Sequence, residues 1–178
     1  MKYIKTEIEG PVIIEPRVFG DNRGYFFESF RADEFRREVA DIEFVQDNES
    51  LSARRGVVRG LHFQKGDAAQ AKLVRVVRGR VQDVAVDIRE GSPTFGKWIS
   101  VELSGDNHRM LYIPRGFAHG FAVLEDDTIF QYKCDNYYDP SAEASFRWND
   151  PSIGVRWMLE DSEIILSDKD KSAPFLEF

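Results

Sequence analysis

Three histidines, His62, His108 and His119, carry the side chains best suited to proton transfer or metal binding near neutral pH. Two occupy matching surroundings. His62 lies in Arg59-Gly-Leu-His-Phe-Gln64, and His119 in Tyr112-Ile-Pro-Arg-Gly-Phe-Ala-His-Gly-Phe121. Each follows a glycine-containing turn among aromatic residues, whereas His108, in Asp106-Asn-His-Arg109, is expected to be exposed and idle. A lone buried histidine is more often a hydrogen-bonded core residue than a catalyst; two in matching contexts argue for a shared pocket. Lys72 follows His62 by ten residues. An imidazole can remove a proton next to a carbonyl, and a lysine or second imidazole can stabilise the enolate oxygen. A tyrosine on the opposite face can return a proton with inversion. Tyr132 suits that task, because Phe130, Tyr132 and Cys134 share one strand face. Its alternative is a core aromatic with a locally satisfied hydroxyl.

The elements that must position these residues read as strands. Val81–Arg89 partly alternates, with Val84, Val86 and Ile88 on one side and Asp83, Ala85 and Asp87 on the other. Lys97–Leu103, Met110–Pro114, Gly120–Leu124 and Thr128–Cys134 are further strand patterns, the last two expected to form a hairpin across Glu125-Asp-Asp127. Pro11-Val-Ile-Ile-Glu-Pro16 predicts an edge or exchanged strand, since proline bounds it at both ends. Asp33–Val39 is the one good helix pattern of the first half, with Asp33 as its cap and Phe35 and Val39 on one face. Many short strands bounded by turns predict an all-β sandwich or barrel in one domain, residues 1–178.

Composition narrows the function classes. The chain has 178 residues, 42% hydrophobic and 31% charged, which fits one soluble domain. Fourteen phenylalanines predict a thick aromatic core or a ring-lined pocket. A net charge of -7 argues against a nucleic-acid surface. One cysteine, Cys134, leaves no internal disulfide and suits the cytoplasm. No apolar run approaches membrane-spanning length, and the start lacks a signal-peptide core.

The histidine spacing resembles the cupin frame, whose first motif supplies His-x-His and a glutamate, and whose second reads Pro-x-Gly-x-x-His. Pro114-Arg-Gly-Phe-Ala-His119 matches the second motif. In the first, His62 holds the leading histidine position, Gln64 the second, and Lys72 the glutamate position counted back from Gly79. Lysine repels a divalent cation at close range, so a metal-free site is expected, with Lys72 supplying the positive charge.

The chain resembles the dTDP-4-dehydrorhamnose 3,5-epimerase family over nearly its whole length. The resemblance rests on Asp21-x-Arg-Gly-Tyr-Phe-x-Glu28, Gln46-Asp-Asn48, Arg59-Gly-Leu-His-Phe-Gln64 and Lys72-Leu-Val-Arg-Val76. It extends through Gly91-Ser-Pro-Thr-Phe-Gly-Lys-Trp98, Tyr112–Phe121, Tyr132, Tyr137-Tyr138-x-Pro140 and Asp150-Pro151. It implies a cupin-like jelly-roll β-barrel with a few short peripheral helices and no metal or organic cofactor. The implied substrate is a dTDP-4-keto-6-deoxy sugar epimerised at C3 and C5, in dTDP-L-rhamnose biosynthesis. His62 is implied as base, Asp168 as the residue that orients it, Lys72 as enolate stabiliser and Tyr132 as acid. Arg23, Glu28, Gln46, Asn48, Arg59, His119, Glu143 and Lys169 are implied to bind the nucleotide sugar, and Tyr138 to stack on the base. A homodimer with an exchanged amino-terminal strand is implied as well. Arg59 and His62 would point to opposite faces of a regular strand, so a bulge at Gly60 is expected. The alternatives are a single-centre epimerase or ketoisomerase on a related dTDP-keto sugar, a non-catalytic sugar-binding cupin, and a metal-dependent cupin enzyme.

Overall fold

A computed structural model describes residues 1–176. The chain begins with β1 (Lys2–Lys5), β2 (Val12–Glu15), β3 (Phe19–Asp21), β4 (Gly24–Phe26), α1 (Ala32–Glu38), β5 (Gln46–Ser52) and β6 (Val58–Gln64). It continues through β7 (Lys72–Arg78), β8 (Arg80–Asp87), β9 (Trp98–Ser104), β10 (Met110–Ile113), β11 (Phe117–Val123) and β12 (Thr128–Cys134). Last come β13 (Glu143–Ser145) and the four-residue α2 (Asp168–Lys171). The expected all-β jelly roll is present as two antiparallel sheets that do not close into one continuous barrel. One has the order β1-β2-β10-β7-β12-β5, the other β13-β6-β11-β8-β9; β3 and β4 form a separate arm.

Alternation along the strands sends one set of side chains into the space between the sheets. Val74, Val76, Leu111, Ile113 and Phe130 enter it from the six-stranded sheet, and Val81, Ala85, Leu103, Phe121 and Val123 from the other. The opposite face of the five-stranded sheet is also covered. There Leu61, Val84, Val86 and Ala118 pack with Ile153, Trp157 and Leu176 from the carboxy-terminal segment. Strand β8 is therefore buried on both faces after Arg80. Its polar Asp83 shares the inward direction of Val81 and Ala85, as the alternation predicted.

Four local expectations need correction. The helix starts at Ala32 behind Arg31, without a side-chain cap, and Asp33 instead binds the Arg31 guanidinium. Phe35 does anchor it, edge-on to Phe44 and Tyr112. Strands β11 and β12 are not a hairpin, because they belong to different sheets: β11 pairs with β6 and β8, β12 with β5 and β7. Which sheet a strand joins is decided by tertiary pairing that short connections do not reveal. Finally, β2 is no edge. It lies between β1 and β10 of its own chain, and β1 forms the edge. His108 is not idle either: it packs 4.6 Å from the Tyr25 ring centroid and 4.9 Å from that of Phe27.

The bulge expected in β6 is present. His62 pairs with His119 and Arg59 with Phe121, so Gly60 and Leu61 of β6 oppose the single Gly120 of β11. Both His62 and Arg59 thereby share the inner direction. Gly60 has φ +117°, and its approach to β11 is close: a Cβ there would lie 2.6 Å from the Gly120 Cα. On the facing strand, a Cβ on Gly120 would meet the Arg59 carbonyl oxygen at 2.8 Å. Gly120→Ala is expected to lower unfolding stability by about 2 kcal/mol through overpacking of this backbone contact. Urea unfolding measures it; an unchanged midpoint and slope would show that the two strands can separate without cost.

Candidate active site

The interior is apolar at one end and polar at the other. The polar end opens into a cavity of about 310 Å³ lined by His62 and Gln64 from β6, Lys72 from β7, and Tyr132 and Cys134 from β12. His62 and Tyr132 thus reach one space from opposite sheets. A second cavity of about 410 Å³ shares Phe63, Gln64, Gln70 and Lys72 with it and reaches His119.

His62 Nε2 lies 2.6 Å from Asp170 Oδ1. Asp170 accepts, so this nitrogen carries the hydrogen and Nδ1 keeps the basic lone pair. The residue expected to orient His62, Asp168, does not: its side chain is fully exposed and its ion-pair partner is Lys171, at 3.4 Å. The physical reason is the short helix α2. Ser167 is its N-cap, and its Oγ accepts from the Asp170 N–H at 3.1 Å. The same hydroxyl donates to Asp170 Oδ2 at 2.6 Å. Residues 168 and 170 point in very different directions on a helix of 3.6 residues per turn. The spacing Ser167-x-x-Asp170 is a capping signature and was the available signal for the inward carboxylate. Burial pushes the Asp170 carboxyl up, but bonds from His62, Ser167 and the Gly60 backbone hold it below the usual carboxylate range.

Opposite His62 in register stands His119, wholly inside. Its Nε2 lies 2.9 Å from Asp83 Oδ2 and 3.1 Å from Oδ1. Alternation placed Asp83 on the same side of its strand as Ala85, and a polar side chain there carries no signature of its partner. Burial dominates all three ionisable groups of this layer. It lowers the Lys72 ammonium, lowers the His119 imidazolium and raises the Asp83 carboxyl. Asp83 acts against that trend by attracting both cations. Lys72 Nζ is 5.8 Å from the centroid of the Tyr132 ring. Burial raises the Tyr132 phenol, so it keeps its proton at neutral pH.

The remaining expected site residues divide in two. Tyr138 donates its hydroxyl to Glu143 at 2.8 Å, and Lys169 pairs with the same carboxylate. Gln46 accepts from the Tyr138 N–H at 3.1 Å and donates to Asn48 at 2.9 Å. Gln64, at the second cupin histidine position, ties its amide to both the N–H and the carbonyl of Asp139. It therefore holds the segment that carries Tyr138 and Glu143. Arg59 is exposed, on the inner side of the bulge, close enough to favour ionised Tyr132. Arg23 and Glu28 are not brought to the cavity. Arg23 pairs with Asp21 on the β3–β4 arm, and Glu28 faces Arg31 at 3.9 Å. No group of three or more His, Cys, Asp or Glu among the described residues is placed to hold a metal ion.

The buried His119 makes stability depend on pH. An unfolded histidine titrates near 6.5, whereas the folded ring is held lower. The unfolded state then binds more protons, so stability is present above about 6.5 and is lost as pH falls below it. Urea unfolding between about pH 7.5 and 5.5 should show a loss of at most ~1.4 kcal/mol per pH unit from this residue. His119→Gln should remove that component; an identical pH dependence in both proteins would assign it elsewhere.

Residues 5–177 match the family model described as dTDP-4-dehydrorhamnose 3,5-epimerase. The protein of that name from Salmonella typhimurium is 52% identical over 178 residues, covering 99% of this chain and 96% of the relative. A crystal structure of the Legionella pneumophila epimerase in complex with dTDP-4-keto-L-rhamnose superposes with a TM-score of 0.93 at 48% identity, covering 98% and 92% of the two chains. A 3'-monoepimerase from Streptomyces bikiniensis in complex with dTDP-quinovose gives 0.89 at 36% identity, covering 97% and 86%. The chain belongs to the dTDP-4-dehydrorhamnose 3,5-epimerase family.

Proposed function

We propose that this protein inverts C3 and C5 of dTDP-4-dehydro-6-deoxy-D-glucose to give dTDP-4-dehydro-L-rhamnose, in dTDP-L-rhamnose biosynthesis. The observation that carries this reading is the pair of proton-transfer groups lining one cavity from opposite sheets: His62 on Asp170, and Tyr132. A sugar ring between them presents one face to a base and the other to an acid. The 4-keto group acidifies both neighbouring C–H bonds. His62 Nδ1 takes the proton, the bonding electrons move into an enolate at O4, and the buried Lys72 ammonium balances that charge. Tyr132 then gives its proton to the same carbon from the other face. Solvent restores both side chains, and no redox equivalent is consumed, so no cofactor is required for the balance.

Arg59 and Lys169 are suited to the diphosphate, and Tyr138 to stacking on the base. Gln46, Asn48, Glu143 and His119 supply hydrogen-bonding groups around the sugar. Arg23 and Glu28 lie beside an arm whose Phe19, Tyr25 and Phe26 are 51%, 61% and 66% exposed. We assign them to the site of a second copy in a homodimer, whose sheets continue across the exposed edge strand β1. Light scattering that finds a monomer under assay conditions would contradict this assembly. A cytoplasmic location is proposed with it, in keeping with the unpaired, buried Cys134. No helix among the described residues is long and apolar enough to cross a membrane. A single-centre epimerase is the second reading, favoured by the likeness to the 3'-monoepimerase.

Steady-state assay of variants tests the assignments. His62→Ala and Asp170→Asn are expected to lose roughly 10²-fold or more of kcat. Asp168→Asn should stay close to wild type. Tyr132→Phe should still release the carbon proton to solvent while forming little inverted product. Full turnover by His62→Ala, or a large defect in Asp168→Asn with none in Asp170→Asn, would refute the assigned base and its partner.

A further inference from the structure

Asp150, in the Asp150-Pro151 motif, has no task in the chemistry above. Its carboxylate is only 1% exposed and has no cation among its described partners. Oδ1 accepts from the Ser152 N–H at 2.8 Å, from the Ser152 hydroxyl, and from the Ile153 N–H at 3.4 Å. Oδ2 accepts from the N–H of Leu176. A turn alone does not require a buried charge, since Ser or Asn would serve at lower desolvation cost. The bond to Leu176 gives the carboxylate a second purpose: it fastens the end of the described chain.

Arg147 holds the same segment. Its N–H donates to Pro174 O at 2.8 Å and its Nε to Ala173 O at 3.2 Å, while its guanidinium sits 4.6 Å above the Phe175 ring. Residues 173–176 thus form a strap, each of them held. The strap begins where α2 ends. Four residues are too few for a helix to hold itself, so its orientation depends on anchors at both ends. Upstream the anchor is the bridge between Val57 and Ile165. Downstream it is the strap. The segment that carries Arg147 is in turn tied to β6, because Phe146 and Leu61 exchange N–H···O bonds of 2.8 and 3.0 Å. Leu61 is the neighbour of His62. One frame therefore carries His62 at one end and Asp170 at the other, and Asp150 closes it.

We propose that Asp150 is a positioning residue for epimerisation, acting through the carboxy-terminal strap to hold Asp170 against His62. This rests on the reading of His62 as the base. Asp150→Asn keeps one oxygen for Ser152 but turns an amide toward the Leu176 N–H. Leu176→Pro removes that N–H with Asp150 intact. Both are expected to lower kcat about 10- to 100-fold, as small misplacements of a catalytic group do, with KM within about twofold of wild type. In an Asp170→Asn background the same substitutions should cost little more, because the contact they serve is already gone. A folded Asp150→Asn protein with full kcat would overturn the proposal, as would losses that multiply with that of Asp170→Asn. If Asp150→Asn does not fold, Leu176→Pro decides by the same two criteria. If His62→Ala and Asp170→Asn both retain turnover, the reading of the base falls and the strap proposal falls with it.

Discussion

The contact between His62 and Asp170 joins the five-stranded sheet to a helix of one turn, and the proposed chemistry of the cavity depends on it. It sets which imidazole nitrogen carries the hydrogen and which keeps the lone pair. Neither residue is fixed by its own element alone. His62 needs the β6 bulge, which in turn needs two glycines where strands β6 and β11 approach. Asp170 needs Ser167 and the two anchors of α2.

A second constraint is the charge buried between the sheets. Lys72, Asp83 and His119 sit in a layer where desolvation disfavours every ionised form. Such groups persist only when they compensate each other, and Asp83 binds the His119 ring and attracts Lys72. In the cupin frame the position of Lys72 belongs to a carboxylate ligand. In the proposed reaction an enolate would meet the Lys72 ammonium already desolvated and already in place, so little reorganisation would accompany it.

Part of this was legible in the sequence. Alternation in Val81–Arg89 separated Asp83 and Ala85 from Val84 and Val86, and a site holding both Arg59 and His62 required the bulge that β6 contains. The shared face of Phe130, Tyr132 and Cys134 put the phenol in the cavity. Other features were not legible, for identifiable reasons. Asp168 and Asp170 sit two apart in one charged run, and only the cap at Ser167 distinguishes outward from inward. Strands β11 and β12 look like a hairpin because their connection is short, yet their pairing partners lie far away in sequence. Gln64 read as a lost metal ligand; its work is to hold the loop that carries Tyr138. Arg23 and Glu28 matched the family pattern in a region that one chain keeps outside its own cavity.

In the proposed reaction one base and one acid on opposite sheets exchange carbon-bound protons with solvent through an enolate. Incubation of the wild-type protein with dTDP-4-dehydro-6-deoxy-D-glucose in deuterated water, followed by proton NMR, tests it directly. Loss of the proton signals at both C3 and C5 is expected, with an inverted sugar carrying solvent deuterium at both carbons. Inverted product that retains its original hydrogens at those carbons would contradict it.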